Sequence, residues 1–230
     1  GKPKGPSSGG EKKWYSEEDV YLAEAETHSL FSNTRPIRAT AICTGGIYLH
    51  ANVVTMPNDR EYIAAQNPSA ISRNARDAFS DRRDLFWRAC LSRSNLIIDL
   101  TQKSDTYDNT YAPEMIGKVY NEIEGITITC TGISYPFGKK IGEESTITAY
   151  TLKISDTSIT PTTTHTITRL RYTNWVDGDG TNTDVLHDLI NYLGDEGLCA
   201  ADKTPVVHCL AGVGRTGTFI TAWHIKHLID

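Results

Sequence analysis

A short apolar segment near the carboxyl end of the chain leads through a loop with two glycines into a helical pattern. We predict a strand over 205–208 and a helix over 215–229, with a loop over 209–214 between them. A strand–loop–helix connection of this kind aims successive backbone N–H groups at one point and adds the positive end of the helix dipole. The segment therefore predicts a loop that binds an anion such as phosphate.

The residues of this loop add chemistry to its geometry. Gly212 and Gly214 let the backbone take positive φ and approach an anion closely. Cys209 begins the loop, and catalytic thiols in such settings have pKa values of about 3.5–7.5 because the amides and the dipole stabilise a thiolate. Arg215 ends it with a planar fork that pairs with two phosphate oxygens at once. An inert buried cysteine would not explain why a cysteine, two glycines, an arginine and a threonine occur together on a strand–loop–helix pattern. We therefore predict an ionised nucleophile at position 209.

Composition excludes several classes of protein. The chain has 230 residues, of which 39% are hydrophobic, enough to bury the core of one domain with or without a tail. The net charge of −5 argues against a broad basic surface for nucleic acid. No apolar run reaches membrane-span length, and no secretory signal opens the chain. Five cysteines, an odd number, argue against a disulfide framework and for a reducing compartment such as the cytoplasm.

Hydrophobic periodicity predicts a mixed sheet with helices packed on it, an α+β fold. The segment LIIDL at 96–100 has the continuous apolar character of a buried central strand. Apolar residues within 186–193 follow helical spacing up to Gly194, where a helix is expected to end. At the amino end, 16–29 is predicted to be either a short helix or a frayed arm. The other predicted elements are strands at 39–43, 47–54, 126–130, 147–154 and 167–172 and a helix at 77–92.

The segment HCLAGVGRTG at 208–217 resembles the phosphate-binding loop of the cysteine-dependent protein tyrosine phosphatases. Four further segments resemble motifs of that family and occur in the family's order: YIAAQNP at 62–68, FWR at 86–88, the strand at 97–101 and Asn-Trp-Val-Asp at 174–177. The last is similar to the family's mobile Trp-Pro-Asp loop. Its Asn-Trp-x-Asp form, with the threonine-rich sheet region, is most similar to the phosphatase domains of bacterial type III effectors, virulence proteins that are injected into host cells.

The resemblance implies a fold and a domain organisation. The fold is the tyrosine phosphatase fold, a highly twisted mixed sheet flanked by helices. A flexible arm is expected over 1–30 and the catalytic domain over 31–230. The first residue is Gly, and the family's water-positioning Gln loop lies well beyond the phosphate loop. We therefore expect this chain to be a fragment whose domain continues past Asp230.

The resemblance also implies a reaction and the residues that perform it. Cys209 would attack phosphorus and form a cysteinyl-phosphate, with no metal or other cofactor. Arg215 would hold the equatorial oxygens. His208 would help to set the environment of the thiolate, and Thr216 would donate a hydrogen bond to the sulfur. The oxygens would also be held by the loop amides, which belong to Leu210, Ala211, Gly212, Val213, Gly214 and Arg215.

Asp177 is the candidate general acid. Taken alone, an aspartate in Trp-Val-Asp-Gly-Asp-Gly is more often a turn residue. Its place after Trp175 and upstream of the cysteine loop makes it the candidate that protonates the leaving tyrosine oxygen. Asp179 is the rival acid, and the two neighbouring glycines give the segment the flexibility that a closing lid needs.

Three departures from the family's pattern leave alternatives open. Val176 replaces the usual Pro of the lid, Pro36 stands where the family carries the tyrosine that stacks on the substrate ring, and the Gln loop is expected only beyond Asp230. The missing Gln loop keeps open a catalytically impaired module that binds phosphotyrosine, and Pro36 keeps open a dual-specificity phosphatase of broader specificity. The loop lacks the added Lys or Arg that would suit an inositol phosphate, which makes phosphoinositides the least favoured substrate.

The expected partners are phosphotyrosine-containing proteins, with no nucleic acid and no membrane span. We expect a monomer that works in a reducing cytoplasm, either its own or, for an injected bacterial effector, that of the host.

A few other residues have both a functional and a plain interpretation. His224 and His227 are spaced to share a metal, but a packed or solvated pair is favoured. Cys199 is spaced to form a reversible disulfide with Cys209, but a buried small side chain is favoured. Arg169 and Arg171 alternate along a predicted strand, so we predict that they lie on its solvated face.

Overall fold

The computed structural model describes residues 13–14, 40–44, 47–68, 83–91, 93–102, 111–139, 146–158, 160–176, 178–181, 183–199, 201–210 and 212–229. Its strands are β1 Lys13–Trp14, β2 Thr40–Thr44, β3 Ile47–Thr55, β4 Glu61–Gln66, β5 Leu96–Asp99, β6 Val119–Ile123, β7 Ile126–Ser134, β8 Ile147–Asp156, β9 Thr163–Tyr172 and β10 Val206–Cys209. Its helices are α1 Arg83–Leu91, α2 Thr183–Asp195 and α3 Gly214–Ile229.

All ten described strands join one mixed sheet in the order β1-β2-β3-β4-β10-β5-β9-β8-β7-β6. The four central strands, β4, β10, β5 and β9, run parallel to one another. The outer strands on either side pair in antiparallel fashion. This sheet with its flanking helices confirms the predicted α+β fold.

The first three residues of β5 are all apolar and fully buried because both faces of the sheet are covered. In β5, Ile97 belongs to the core that contains Phe86 and Trp87 of α1. Its neighbours Leu96 and Ile98 belong to the core that contains residues of α2 and α3. Alternate side chains thus enter opposite cores, which explains why LIID has no polar–apolar alternation.

The outer strands β7 to β9 follow the other predicted pattern. Along β8, Leu152 and Ile154 are buried, whereas Thr151 and Lys153 between them are exposed. This alternation confirms the prediction of antiparallel strands with one solvated face. The strands are longer than predicted, because polar residues at their ends continue the pairing, such as Ser155 with Thr164 and Asp156 with Thr163.

The structure corrects one prediction about β9 and adds strands that the sequence analysis missed. Arg169 and Arg171 were predicted to face solvent, which is wrong: they are 3% and 8% exposed. Each pairs with carboxylates from elements distant in sequence, so alternation alone cannot reveal their burial. The strands that the sequence did not predict are the two-residue β1, β4, which is one of the family motifs, and β6.

Some predictions fall outside the described residues. The helix predicted at 16–29 is one of them, and of the predicted arm over 1–30 only β1 is described, as a two-residue strand on β2. Helix α1 lies within the predicted 77–92 helix, whose first residues are also outside the described set. Among the described helices, none is long and apolar enough to cross a membrane.

The carboxyl ends of the parallel strands align across the sheet. Cys209 at the end of β10 is in register with Gln66 of β4. His208 is in register with Asp99 of β5, which in turn is in register with Arg171 of β9. Ligands of open sheets with parallel strands bind beyond such carboxyl ends. The sheet therefore brings the predicted nucleophile to the edge where a binding site is expected.

We expect the face of α3 that packs on the sheet to carry much of its stability. Phe219 has no exposed surface and packs edge-on against Trp223, with ring centroids 5.8 Å apart. Phe219→Ala should lower the free energy of unfolding in urea by about 3–5 kcal/mol. Ile225→Ala, at a position of the same helix that is 49% exposed, should change it by less than about 0.5 kcal/mol. Equal losses in the two variants would contradict this account of the core.

Candidate active site

The loop after β10 wraps its backbone around the Cys209 side chain. Cys209 is 1% exposed, and the amide of Gly212 donates a hydrogen bond to its Sγ at 3.2 Å. The amide of Asn67, just after β4, donates to the Leu210 carbonyl at 3.1 Å and ties the loop to the sheet. An amide that points at sulfur stabilises negative charge there, which is the electrostatic arrangement the sequence predicts for a thiolate.

Gly212 is required where it stands. Its φ is 79°, in the left-handed region that side chains rarely adopt. A Cβ at this position would lie 2.6 Å from the backbone carbonyl atoms of Ala65 and 2.7 Å from the Gln66 nitrogen, both in β4. The loop therefore passes so close to its neighbouring strand that only glycine fits.

Arg215 connects three parts of the site. Its side chain is 2% exposed, and its Nη1 donates to the Leu100 carbonyl at 3.0 Å and to the Trp175 carbonyl at 3.1 Å. Leu100 follows β5, and Trp175 lies in the predicted lid segment. The guanidinium is thus fixed at the start of α3, beside the loop whose Gly212 amide donates to the Cys209 sulfur.

The predicted lid is described on both sides of its candidate acid. Asp177 itself lies outside the described residues. The Asp179 amide donates to the Val176 carbonyl at 3.3 Å, and Gly178 between them has a φ of 79°, a value typical of the third residue of a type II turn. Trp175 is buried, and its Nε1 donates to the Asp179 carbonyl at 3.1 Å. Val176 and Asp179 are exposed, so the rival acid remains a candidate on accessibility.

His208 is completely buried directly behind the loop. Its Nε2 lies 2.7 Å from the Tyr111 hydroxyl, and its Nδ1 lies 3.4 Å from the Cys209 carbonyl. Burial lowers the pKa of His208, and the nearby carboxylate of Asp99 opposes that change. Sequence reasoning selected His208 but missed Tyr111, which is 97 residues away and lies in no periodic pattern or family motif noted above.

The other predicted site residues stand as follows. Thr216 is fully buried at the start of α3, and its Oγ1 has no hydrogen-bond partner within the described part of the chain. Its predicted bond to the sulfur therefore stays a prediction. Val213 and Gly214 are exposed on the loop, whereas Leu210 is half-buried. Ala211 lies outside the described residues.

The remaining candidates fit their plain interpretations. His224 is 7% exposed, and the ring of His227 lies beside Trp223 with centroids 5.9 Å apart. Within the described ranges, no three His, Cys, Asp or Glu side chains are grouped so that they could hold a metal ion. Cys199 is half-buried, its thiol points to the Lys203 carbonyl, and burial raises the pKa of that thiol.

Comparison with known proteins indicates the same family that the sequence motifs resemble. The model of the protein-tyrosine phosphatase family matches residues 28–229. Receptor-type tyrosine-protein phosphatase eta of Gallus gallus is 25% identical over 208 residues, which cover 86% of this chain and 13% of the receptor. Tyrosine phosphatase H3 of the Microplitis demolitor bracovirus is 28% identical over 199 residues, 83% of this chain and 56% of the relative. Probable tyrosine phosphatase protein H4 of the same virus is 33% identical over 144 residues, 59% of this chain and 74% of the relative. The chain thus spans only part of the length of these relatives.

The close approach of Gly212 to β4 yields a test with a built-in control. Gly212→Ala should lower the free energy of unfolding by about 1–2 kcal/mol from its left-handed φ alone, and by more because its Cβ meets backbone. Gly214→Ala, two residues on, meets no heavy atom within 4 Å and should leave stability unchanged or slightly raised. Urea denaturation of both variants measures the difference, and a Gly212→Ala variant as stable as Gly214→Ala would contradict the geometry.

Proposed function

The chain belongs to the protein-tyrosine phosphatase family, and we propose that it hydrolyses phosphotyrosine in proteins through a cysteinyl-phosphate formed on Cys209. The observation that carries the proposal is the loop itself. A buried cysteine accepts a hydrogen bond from the Gly212 amide, and the Arg215 guanidinium is fixed at the end of the same loop. Such a loop places donors where charge develops on a phosphoryl group in transfer.

In the first step, the Cys209 thiolate attacks phosphorus in line with the leaving oxygen. The S–P bond forms as the P–O bond to the tyrosine ring breaks, and Asp177 gives its proton to the departing phenolate. Arg215 and the amides of 210–215 hold the three equatorial oxygens. Binding by fixed donors costs little reorganisation at the moment of reaction.

In the second step, water attacks phosphorus and the S–P bond breaks. Asp177, now a carboxylate, takes a proton from that water, and inorganic phosphate and the thiolate are released. A hydrogen bond from the Thr216 hydroxyl would stabilise the departing sulfur. Its buried position one residue after Arg215 supports this role.

The segment that contains Asp177 is well placed to act as a lid. Arg215 donates to the Trp175 carbonyl, so the residue that binds phosphate also holds the base of this segment. Phosphate binding and lid position would therefore be linked through one guanidinium. This link supports Asp177 over groups elsewhere in the chain as the source of the proton.

The setting of the reaction is a further proposal. A thiolate nucleophile is readily oxidised, so we propose that the protein acts in a reducing compartment such as a cytoplasm, on phosphotyrosine-containing proteins, as a monomer. The relatives named above are receptor and bracoviral phosphatases. A bacterial effector role in virulence therefore rests only on the Asn-Trp-x-Asp form of the lid and on the threonine-rich strands.

Loss of the nucleophile tests the proposal. The wild-type chain should hydrolyse a small aryl phosphate and a phosphotyrosine peptide, and Cys209→Ser should reduce both rates to background because serine has no thiolate at neutral pH. The assay measures released phosphate, and urea denaturation verifies that the variant is folded. A folded wild-type chain that binds the peptide without turnover would instead support the impaired, phosphotyrosine-binding alternative. Equal rates on phosphothreonine peptides would support dual specificity.

The general acid is tested by comparing the two aspartates of the lid. Asp177→Ala should lower kcat on a phosphotyrosine peptide by about 10²–10⁴-fold, because the phenolate then leaves without a proton. The loss should be smaller on an aryl phosphate whose leaving group is already a weak base. Asp179→Ala serves as the matched control and should retain most activity. The reverse result, with the large loss in Asp179→Ala, would make Asp179 the acid.

A further inference from the structure

A cluster of four charges lies behind the phosphate loop, and three of its residues are buried, whereas Glu114 is half-buried. Asp99, at the end of β5, has no exposed surface and accepts hydrogen bonds from Arg169 Nε at 3.1 Å and Nη2 at 2.6 Å. Glu114 Oε1 accepts from Arg169 Nη1 at 2.9 Å and from Arg171 Nη1 at 2.7 Å. Two guanidinium groups thus face two carboxylates. Burying charges is tolerated only when they are paired in this way, so the cluster depends on all four groups.

The cluster reaches the active site through Asp99. Asp99 Oδ1 lies 3.6 Å from His208 Nε2, and Oδ2 lies 3.5 Å from the Tyr111 hydroxyl. That hydroxyl is the one that contacts His208 Nε2 at 2.7 Å. The guanidinium of Arg169 also lies 4.8 Å from the centre of the Tyr111 ring. Asp99 therefore contacts both the cations of the cluster and the histidine that precedes the nucleophile.

The groups around the His208 ring come from every element packed against it. From β5 it faces Asp99, from β9 the charges of Arg169 and Arg171, and from the segment after β5 the Tyr111 hydroxyl. On α1, Phe86 contributes an uncharged ring with its centroid 6.1 Å away. Among these groups on the described elements, Asp99 is the one anion, and it offsets two cations.

We propose that Asp99 is a positioning residue of the reaction: it balances the two arginine charges around His208 and, with Tyr111, fixes the ring directly behind Cys209. The role in the reaction rests on the function proposed above, whereas the balance of charge does not. Asp99 lies within the strand at 97–101 that resembles a family motif, but that resemblance assigns it no role. It acts on the nucleophile through His208 rather than by contact with substrate.

The directions in which the pKa values of Asp99 and His208 shift agree with this arrangement. Burial opposes the ionisation of Asp99, yet His208, Arg169 and Arg171 hold its pKa well below the usual range, so it is an anion. Burial also lowers the pKa of His208; Asp99 raises it, whereas Arg169 and Arg171 lower it further. Removing the Asp99 charge should therefore make a proton on His208 less favourable, and removing an arginine charge should make it more favourable.

Titration of His208 in the full chain tests the balance of charge without any need for turnover. NMR of ¹³C-labelled histidine rings, with His208→Gln to assign the signal, gives the midpoint of the His208 titration. Asp99→Asn should lower that midpoint by about one pH unit, and Arg169→Met should raise it by a similar amount. Shifts of opposite sign are not expected from loosened packing alone. A midpoint that stays at its wild-type value in both variants, or moves in the same direction in both, would overturn the proposal.

The chain offers a matched control for Asp99. Asp156, at the end of β8, is 5% exposed, and its Oδ1 accepts bonds from the amide and hydroxyl of Ser158. Asp99 Oδ1 accepts the same pair of bonds from Thr101. Asp156 pairs with the far end of β9, away from His208. Asp156→Asn should leave the His208 midpoint unchanged.

The role in the reaction is read from kinetics of the same variants. Asp99→Asn should lower kcat on a small aryl phosphate by up to about tenfold. A proton on His208 favours the neighbouring thiolate, and one unit of pKa changes the protonated fraction of the ring up to tenfold. KM should stay within about twofold, since the phosphate contacts are untouched, and Asp156→Asn should behave as the wild type. A shifted His208 midpoint with unchanged kcat would overturn the role in the reaction. A wild-type chain with no turnover would overturn the proposed function, and the titration would still test the charge balance.

Discussion

The loop can surround Cys209 only because Gly212 passes against the backbone of β4. Its amide reaches the sulfur at 3.2 Å from a backbone with a φ of 79°. Any side chain would push the loop away from Ala65 and Gln66, since a Cβ would lie 2.6 Å from the Ala65 carbonyl atoms and 2.7 Å from the Gln66 nitrogen. The Gly212 amide would then no longer reach the sulfur. The electrostatic character of the site therefore follows from a steric fact about a neighbouring strand.

The arrangement of the sheet and its helices explains why the site is buried and held by hydrogen bonds. Four parallel strands present their carboxyl ends together, and helices cover both faces of the sheet, so the groups at these ends have little access to water. Arg215 cannot be solvated there, and the carbonyls of Leu100 and Trp175 accept its hydrogen bonds instead. One of these carbonyls belongs to the predicted lid. A single requirement, satisfaction of a buried guanidinium, thus connects loop, sheet and lid.

Local sequence predicted those features whose determinants are close together along the chain. About ten residues contain the strand β10, the two glycines, Cys209 and Arg215. The family motifs are likewise short continuous segments. The apolar run LIID predicted β5 because both of its faces are buried. Tyr111 could not be found in this way, because its contact with His208 joins residues 97 apart. Arg169 and Arg171 were assigned to solvent for the same reason: their burial depends on Asp99, which is 70 residues before Arg169, and on Glu114.

The end of β5 shows how local sequence and contacts between distant residues together determine the structure. Three apolar residues predict a central strand, and the fourth, Asp99, is as buried as they are. An isolated carboxylate at this position would cost several kilocalories per mole, so the strand is stable only because β9 brings arginines to the adjacent register. Because β10 lies on the other side of β5, that carboxylate is also beside His208. The order of strands in the sheet therefore places the compensating charges of the core beside His208, which precedes the predicted nucleophile. The packing of the core and the electrostatics of the candidate site cannot vary independently.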